Sequence, residues 1–230
     1  MKKLFPILGV ITAILLGYAL YEALVVAPTE QTMGDVQRIF YYHVPSAWTA
    51  FILFFVNFVA SVVYLAKRRP VADMVALVTA EVGVVFCTVV LVTGPIWARP
   101  VWGIWWTWDV RLTSTLVLWL IYVSYLFLRR FSSSGQTPLL ASALAVLGAL
   151  CVPFVYLSIR FFRTQHPQPV IGGGGSLDPR MLHVLLINWL AFSCFAFMVC
   201  WSRYRLEKLQ REVDEAEAMA SLMAPRGSVR

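Results

Sequence analysis

Six runs of apolar residues dominate this chain, each long enough to cross about 30 Å of hydrocarbon as a helix rising about 1.5 Å per residue. They cover residues 4–26, 46–66, 71–93, 113–128, 139–159 and 181–201, the fourth being short unless Val110 and Arg111 join it. The runs are continuous and show no two-residue alternation, so they predict helices rather than a membrane barrel. The expected fold class is all-α: a polytopic membrane protein, a bundle of six transmembrane helices with cytoplasmic N- and C-termini. With 60% hydrophobic residues, 13% charged residues and a mean hydropathy of +0.73, a water-soluble domain is excluded. The net charge of +7 does not indicate nucleic acid, because the basic residues sit in short clusters between apolar runs. Cys87, Cys151, Cys194 and Cys200 lie inside the runs, with neither CxxC nor CxxCH, and read as small buried hydrophobes. The first run follows Lys2 and Lys3 as in a signal peptide, but it is too long for one and lacks a clear cleavage site, so it is read as a retained span.

An even number of spans puts both ends on one side. Thirteen of the 19 Lys and Arg residues fall on that side, including Lys2, Lys3, Arg226 and Arg230. Opposite lie only Arg38, Arg99, Arg111, Arg160, Arg163 and Arg180, and this imbalance is what makes the termini cytoplasmic. The inner connections are short, whereas the outer loops 27–45, 94–112 and 160–180 run to roughly twenty residues each, more than connection alone needs. Function is therefore expected on the outer face. Residues 1–203 form the expected transmembrane domain and 204–230 a cytoplasmic C-terminal helix and tail. Gly172 to Ser176 reads as a flexible linker and the residues after Pro225 as a frayed end. Leu206, Leu209, Val213, Ala216, Ala220 and Met223 follow 3-4 spacing, either a seam for a partner or one face of a solvated helix end. Glu81, near the middle of the third run, is expected to face the interior as a protonated hydrogen-bonding group or to meet a partner helix.

The second outer loop carries Trp97, Trp102, Trp105, Trp106 and Trp108, five of the nine tryptophans within twelve residues. One or two would form an interfacial belt; five, with Gly103 allowing close approach, suit a flat apolar ligand. His43 and His166 lie in the flanking outer loops on the same side, with Pro45 expected in the first turn of the second span. Two imidazoles on opposite faces of a planar macrocycle are a standard way of holding haem iron. Haem b, iron protoporphyrin IX, is the expected ligand, with His43 and His166 on the metal and Trp102, Gly103, Trp105, Trp106, Trp108 and Asp109 around the ring. Arg38 and Arg111 lead as propionate partners. Asp109 could also cap the next helix, pair with Arg111 or hold an indole N–H, and His183 remains a reserve ligand.

The run Trp102-Gly-Ile-Trp105-Trp106-Thr-Trp108-Asp109, followed by Arg111-Leu-Thr-Ser114, resembles the tryptophan-rich signature of haem-handling proteins, and the chain as a whole is similar to the haem exporter protein C (CcmC) family of cytochrome c maturation. It departs from that pattern at Phe161-Phe162, where the family tends to show tryptophans, and in its Gly172 to Gly175 run. The resemblance implies a multi-pass protein of the bacterial inner membrane that binds haem on the periplasmic side through His43 and His166. It further implies delivery to the periplasmic haem chaperone CcmE, and assembly with the ABC transporter subunits CcmA and CcmB and the small membrane protein CcmD. No ATP-binding loop or hydrolytic motif occurs in this chain, so haem transfer rather than classical catalysis is expected. The competing readings are a membrane b-type cytochrome passing electrons and a transporter subunit without a cofactor.

Overall fold

The computed structural model describes residues 4–132, 134–167 and 177–223. Among them, six helices are long and apolar enough to cross a membrane: α1 (Leu4–Tyr21), α2 (Phe40–Lys67), α3 (Pro70–Trp102), α4 (Val110–Phe131), α5 (Thr137–Phe161) and α6 (Pro179–Met223). Each corresponds to one apolar run. Lys2, Lys3, the Gly172 to Ser176 stretch and the tail beyond Pro225, with Arg226 and Arg230, lie outside the described residues.

Three boundaries differ from expectation, and the first two shape the site. A 3-10 turn, Asp35–Ile39, runs straight into α2, so the first outer connection shortens and Pro45 sits inside the helix rather than in its first turn. Its missing N–H removes one backbone bond, a loss tolerated in membrane helices whose neighbours pack closely. Helix α3 continues past residue 93 through Pro95 and Pro100 to Trp102. The Gly94-Pro95 pair and Pro100 punctuate the sequence like a loop, but each proline breaks a single hydrogen bond while Ala98 stays buried on the helix's packed face. The second connection reduces to residues 103–109. Gly103 closes α3 at φ 78°, a left-handed conformation cheap only for glycine, its N–H donating to the Arg99 carbonyl at 3.0 Å. The third difference is that α6 runs unbroken into the expected cytoplasmic segment, where Leu206, Leu209 and Val213 of the apolar seam are exposed.

Helix α2 packs against α3, α5 and α6, and α4 packs on α5 and α3. Phe54 of α2 stacks flat on Tyr122 of α4, ring centroids 3.9 Å apart. Gly83 of α3 makes room for it: a Cβ there would lie 2.7 Å from the Phe54 ring. At the end bearing the termini, Arg68 (φ 52°) and Arg69 alone link α2 to α3. There the carboxylate of Asp73, 2% exposed, pairs with Arg129 and with Arg211 at 2.7 Å. Glu81 accepts two bonds from Arg203, at 2.8 and 2.9 Å. Because α3 extends to Trp102, Glu81 lies nearer the helix's inner end than its middle, and its contact with Arg203 of α6 is the second of the two roles expected of it, a meeting with another helix.

Candidate functional site

At the opposite end the outer parts of α2, α3, α4 and α5 splay around a cavity of about 240 Å³. His43 lines it from α2, Gly94, Trp97 and Trp102 from α3, Arg111 and Thr115 from α4, and Val155 from α5, while Trp106 and His166 close it from the two connections. Ala50 and Phe51 also line it, seven and eight residues beyond His43 on α2, so it descends about 10 Å below the histidine at 1.5 Å per residue. The site is thus set partly within the depth of the bundle, not only above it.

The sequence places His43 in a loop, at a helix lip; the structure seats it in the first turn of α2, 8% exposed. Its Nδ1 lies 2.9 Å from Thr93 Oγ1, and the Trp97 ring stands edge-on to it at 5.9 Å. His166 remains in the third connection. Its Nδ1 lies 2.8 Å from the Pro167 carbonyl, which can only accept, so Nδ1 carries the proton and Nε2 the lone pair. Burial, followed by the nearby Arg111 cation, pushes this imidazole down to about 4, so it is neutral at physiological pH.

Asp109 joins two connections. One oxygen caps α4 by accepting from Leu112 N at 2.9 Å, the local role expected of an Asp ahead of a helix. The other accepts from Thr164 Oγ1 at 2.7 Å, Gln165 N at 3.2 Å and Thr107 Oγ1 at 3.3 Å. Thr164 Oγ1 in turn accepts from His166 N at 3.1 Å. Burial opposes the charge on Asp109, but these hydrogen bonds hold its carboxyl below its ordinary range. The carboxylate thereby fixes the tryptophan connection to the histidine connection.

Other expected site residues lie apart. Arg38 donates to the Ala23 carbonyl at 2.9 Å, Asp35 at 3.1 Å and Thr29 at 3.5 Å, capping the π-helical turn Glu22–Val26 that ends the first span, and it does not line the cavity. Arg111 does line it, donating to the Val155 and Tyr156 carbonyls of α5 at 2.9 and 3.2 Å. Trp105 and Trp108 are 59% and 77% exposed and Gly103 forms the turn; none of the three lines the cavity. His183 is exposed on α6. Thr93, Thr164 and Gln165 were not singled out by sequence reasoning, and Trp97 only as one of five clustered tryptophans. Nothing in the sequence marks the other three.

The donor set fits haem: two imidazoles on one cavity, an apolar wall, flat indoles and a guanidinium. Comparison with known proteins agrees in kind. The family described as "Heme exporter protein C" matches residues 1–219. "Heme exporter protein C" of Bradyrhizobium diazoefficiens is 35% identical over 226 residues, covering 96% of this chain and 86% of that protein. The protein of the same name from Escherichia coli is 32% identical over 185 residues, 80% of this chain and 73% of that protein. A "Putative cytochrome c biosynthesis ccmC-like mitochondrial protein" of Marchantia polymorpha is 32% identical over 185 residues, 80% and 78% of the two chains. Six apolar helices, a histidine-bearing cavity at one end and a whole-length match lead to one conclusion: this chain belongs to the heme exporter protein C family.

Proposed function

We propose that this protein handles haem for cytochrome c maturation, holding haem b at the periplasmic face of the bacterial inner membrane and presenting it to the haem chaperone CcmE. The observation that carries the reading is that His43 and His166, from elements far apart in sequence, line one apolar cavity. In this reading His43 and His166 would hold the iron through Nε2, Trp97, Trp102 and Trp106 would cover the ring, and Arg111 would meet a propionate. Haem, when bound, supplies the iron centre and the reactive periphery. The chain itself would position the ring and limit water around it, and Trp105 and Trp108, exposed outside the cavity, remain free to meet an acceptor. Asp109 keeps the two connections together, and Arg38 supports the first connection instead of touching the ligand.

The excess of Lys and Arg at the end bearing the termini supports a cytoplasmic position for them. Residues 204–223 then project into the cytoplasm, where CcmA, CcmB and CcmD are their expected company. Residues 1–203 form the haem-handling unit.

The test is an absorption spectrum of detergent-purified protein from haem-replete cells. Wild type should give a low-spin, six-coordinate spectrum that His43→Ala and His166→Ala each convert, and haem should pass to purified CcmE. An unchanged bis-histidine spectrum in both variants would overturn the assignment. A b-type cytochrome is the second reading, favoured by one observation, that His43 sits within a helix as haem ligands of such proteins do. Reduction of the bound haem by quinol, with no transfer to CcmE, would select it.

A further inference from the structure

We infer that Thr93 is a positioning residue that selects which nitrogen of His43 faces the cavity. The inference deepens the haem-site reading and rests on it. Thr93 Oγ1 lies 2.7 Å from the Val89 carbonyl oxygen and 2.9 Å from His43 Nδ1. Two oxygens at 2.7 Å repel unless a proton lies between them, and a carbonyl has none to give. The single hydroxyl proton of Thr93 is therefore committed to Val89, the usual back-bond of a helical threonine to the carbonyl four residues earlier. What Oγ1 has left is acceptor capacity, so His43 Nδ1 must donate. The ring is held as the Nδ1–H tautomer, and its lone pair is on Nε2.

Three further features fix this arrangement. His43 is 8% exposed, so water does not compete freely for Nδ1. Trp97 packs edge-on at 5.9 Å and restricts rotation of the ring. Next to Thr93, the ring also lies close to Gly94, where a Cβ would stand at ordinary contact distance, 3.5 Å, from His43 Cε1. The result matches His166, whose Nδ1–H is fixed by the Pro167 carbonyl. Both rings thus present the same nitrogen by separate devices, a side-chain hydroxyl in one case and a backbone carbonyl in the other. A ligand imidazole usually donates its second N–H to such an acceptor, which sets its orientation and raises its basicity.

The tests use the full chain in detergent and the variants Thr93→Val, which removes the acceptor at nearly constant shape, and Thr93→Ser, which keeps it. Nitrogen-15 histidine spectra of the haem-free protein should report Nδ1–H for His43 in wild type and Thr93→Ser and a mixed tautomer in Thr93→Val. The His166 signal, unchanged, serves as the internal check on folding. In haemin titrations Thr93→Val should bind about 10–100-fold more weakly, the range typical when the partner of a metal-bound histidine is lost. Its midpoint potential should rise, because a less basic ligand favours ferric iron less, and Thr93→Ser should return both values towards wild type. An unaltered tautomer, affinity and potential in Thr93→Val would overturn the inference. His43→Ala separates the two claims. If it loses the six-coordinate spectrum while Thr93→Val stays like wild type, only the role of Thr93 fails; if it keeps that spectrum, the haem-site reading fails first.

Discussion

Replacing Asp109 with Asn tests whether the outer connections are held together by one carboxylate. Asn is as good a helix cap as Asp, so the bond from Leu112 N and the start of α4 should survive. The other oxygen becomes an amide NH2, which cannot accept from the Gln165 N–H and must oppose or rearrange the bond from Thr164. A hydrogen bond to a charged acceptor contributes about 1.5–3 kcal/mol, and because Asp109 is partly open to water the lower part of that range, about 1.5–2 kcal/mol, applies. At 1.4 kcal/mol per factor of ten, the third connection should open roughly ten- to thirtyfold more often. Hydrogen exchange read by mass spectrometry should show this as lost protection across residues 162–167 with protection of 110–113 retained. Haemin affinity should fall by at most that factor, reaching it only where the opened form predominates, since the apparent affinity scales with the fraction of chains that hold His166 in place. Asp109→Ala should add about 1 kcal/mol of lost capping and loosen the first turn of α4 as well. The reasoning is refuted if Asp109→Asn leaves exchange at 162–167 unchanged, or if it weakens haemin binding without loosening that stretch.

Other outcomes follow from the same structure. Asp73→Asn leaves Arg129 and Arg211 facing a neutral group in a buried position and should cost about 3–5 kcal/mol, whereas Glu81→Gln, at a pair roughly one-third exposed, should cost no more than about 1 kcal/mol; denaturant unfolding in detergent ranks the two. Gly83→Ala drives a methyl into the Phe54 ring stacked on Tyr122 and should destabilise by about 1–3 kcal/mol, with Phe54→Leu in the same chain recovering part of the loss. His166 is depressed to about 4 from an ordinary value near 6.5, so the unfolded chain takes up its proton first. Stability is therefore unaffected by this group above about pH 6.5 and declines as pH falls towards 4. Thermal melts should show a decline that His166→Gln makes shallower.

The six helices were readable because lipid-facing segments require unbroken apolar length, which sequence displays directly. Their outer ends were not, since proline and glycine that stop a helix in water can be carried inside a membrane helix. Pro45, Pro95 and Pro100 each moved an element boundary and brought His43, Trp97 and Trp102 onto helices. Residue type and side of the membrane were enough to nominate His43, Trp106, His166 and Arg111, all of which line one cavity. Proximity in sequence misled for Arg38, because a π-helical turn leaves a carbonyl at Ala23 that draws its guanidinium away. Thr93 and Thr164 had no signature at all. Their importance comes from which oxygen is left to accept once one proton is spoken for, and only three-dimensional placement reveals that.

The two acid–base contacts between α3 and α6 have a consequence for how α6 is set. Asp73 and Glu81 are eight residues apart on α3, and their partners Arg211 and Arg203 are eight apart on α6, in the reverse order. Two such rungs, about 12 Å apart along the axes, act as a vernier. Sliding α6 by a single residue turns its side chains by about 100° and breaks both contacts together, so no neighbouring alignment is half satisfied. The same rod begins at Pro179, beside the third connection, and ends at Met223 beyond the bundle. Anything that grips its far tip therefore pulls against a part whose axial position is already indexed to the rest of the protein.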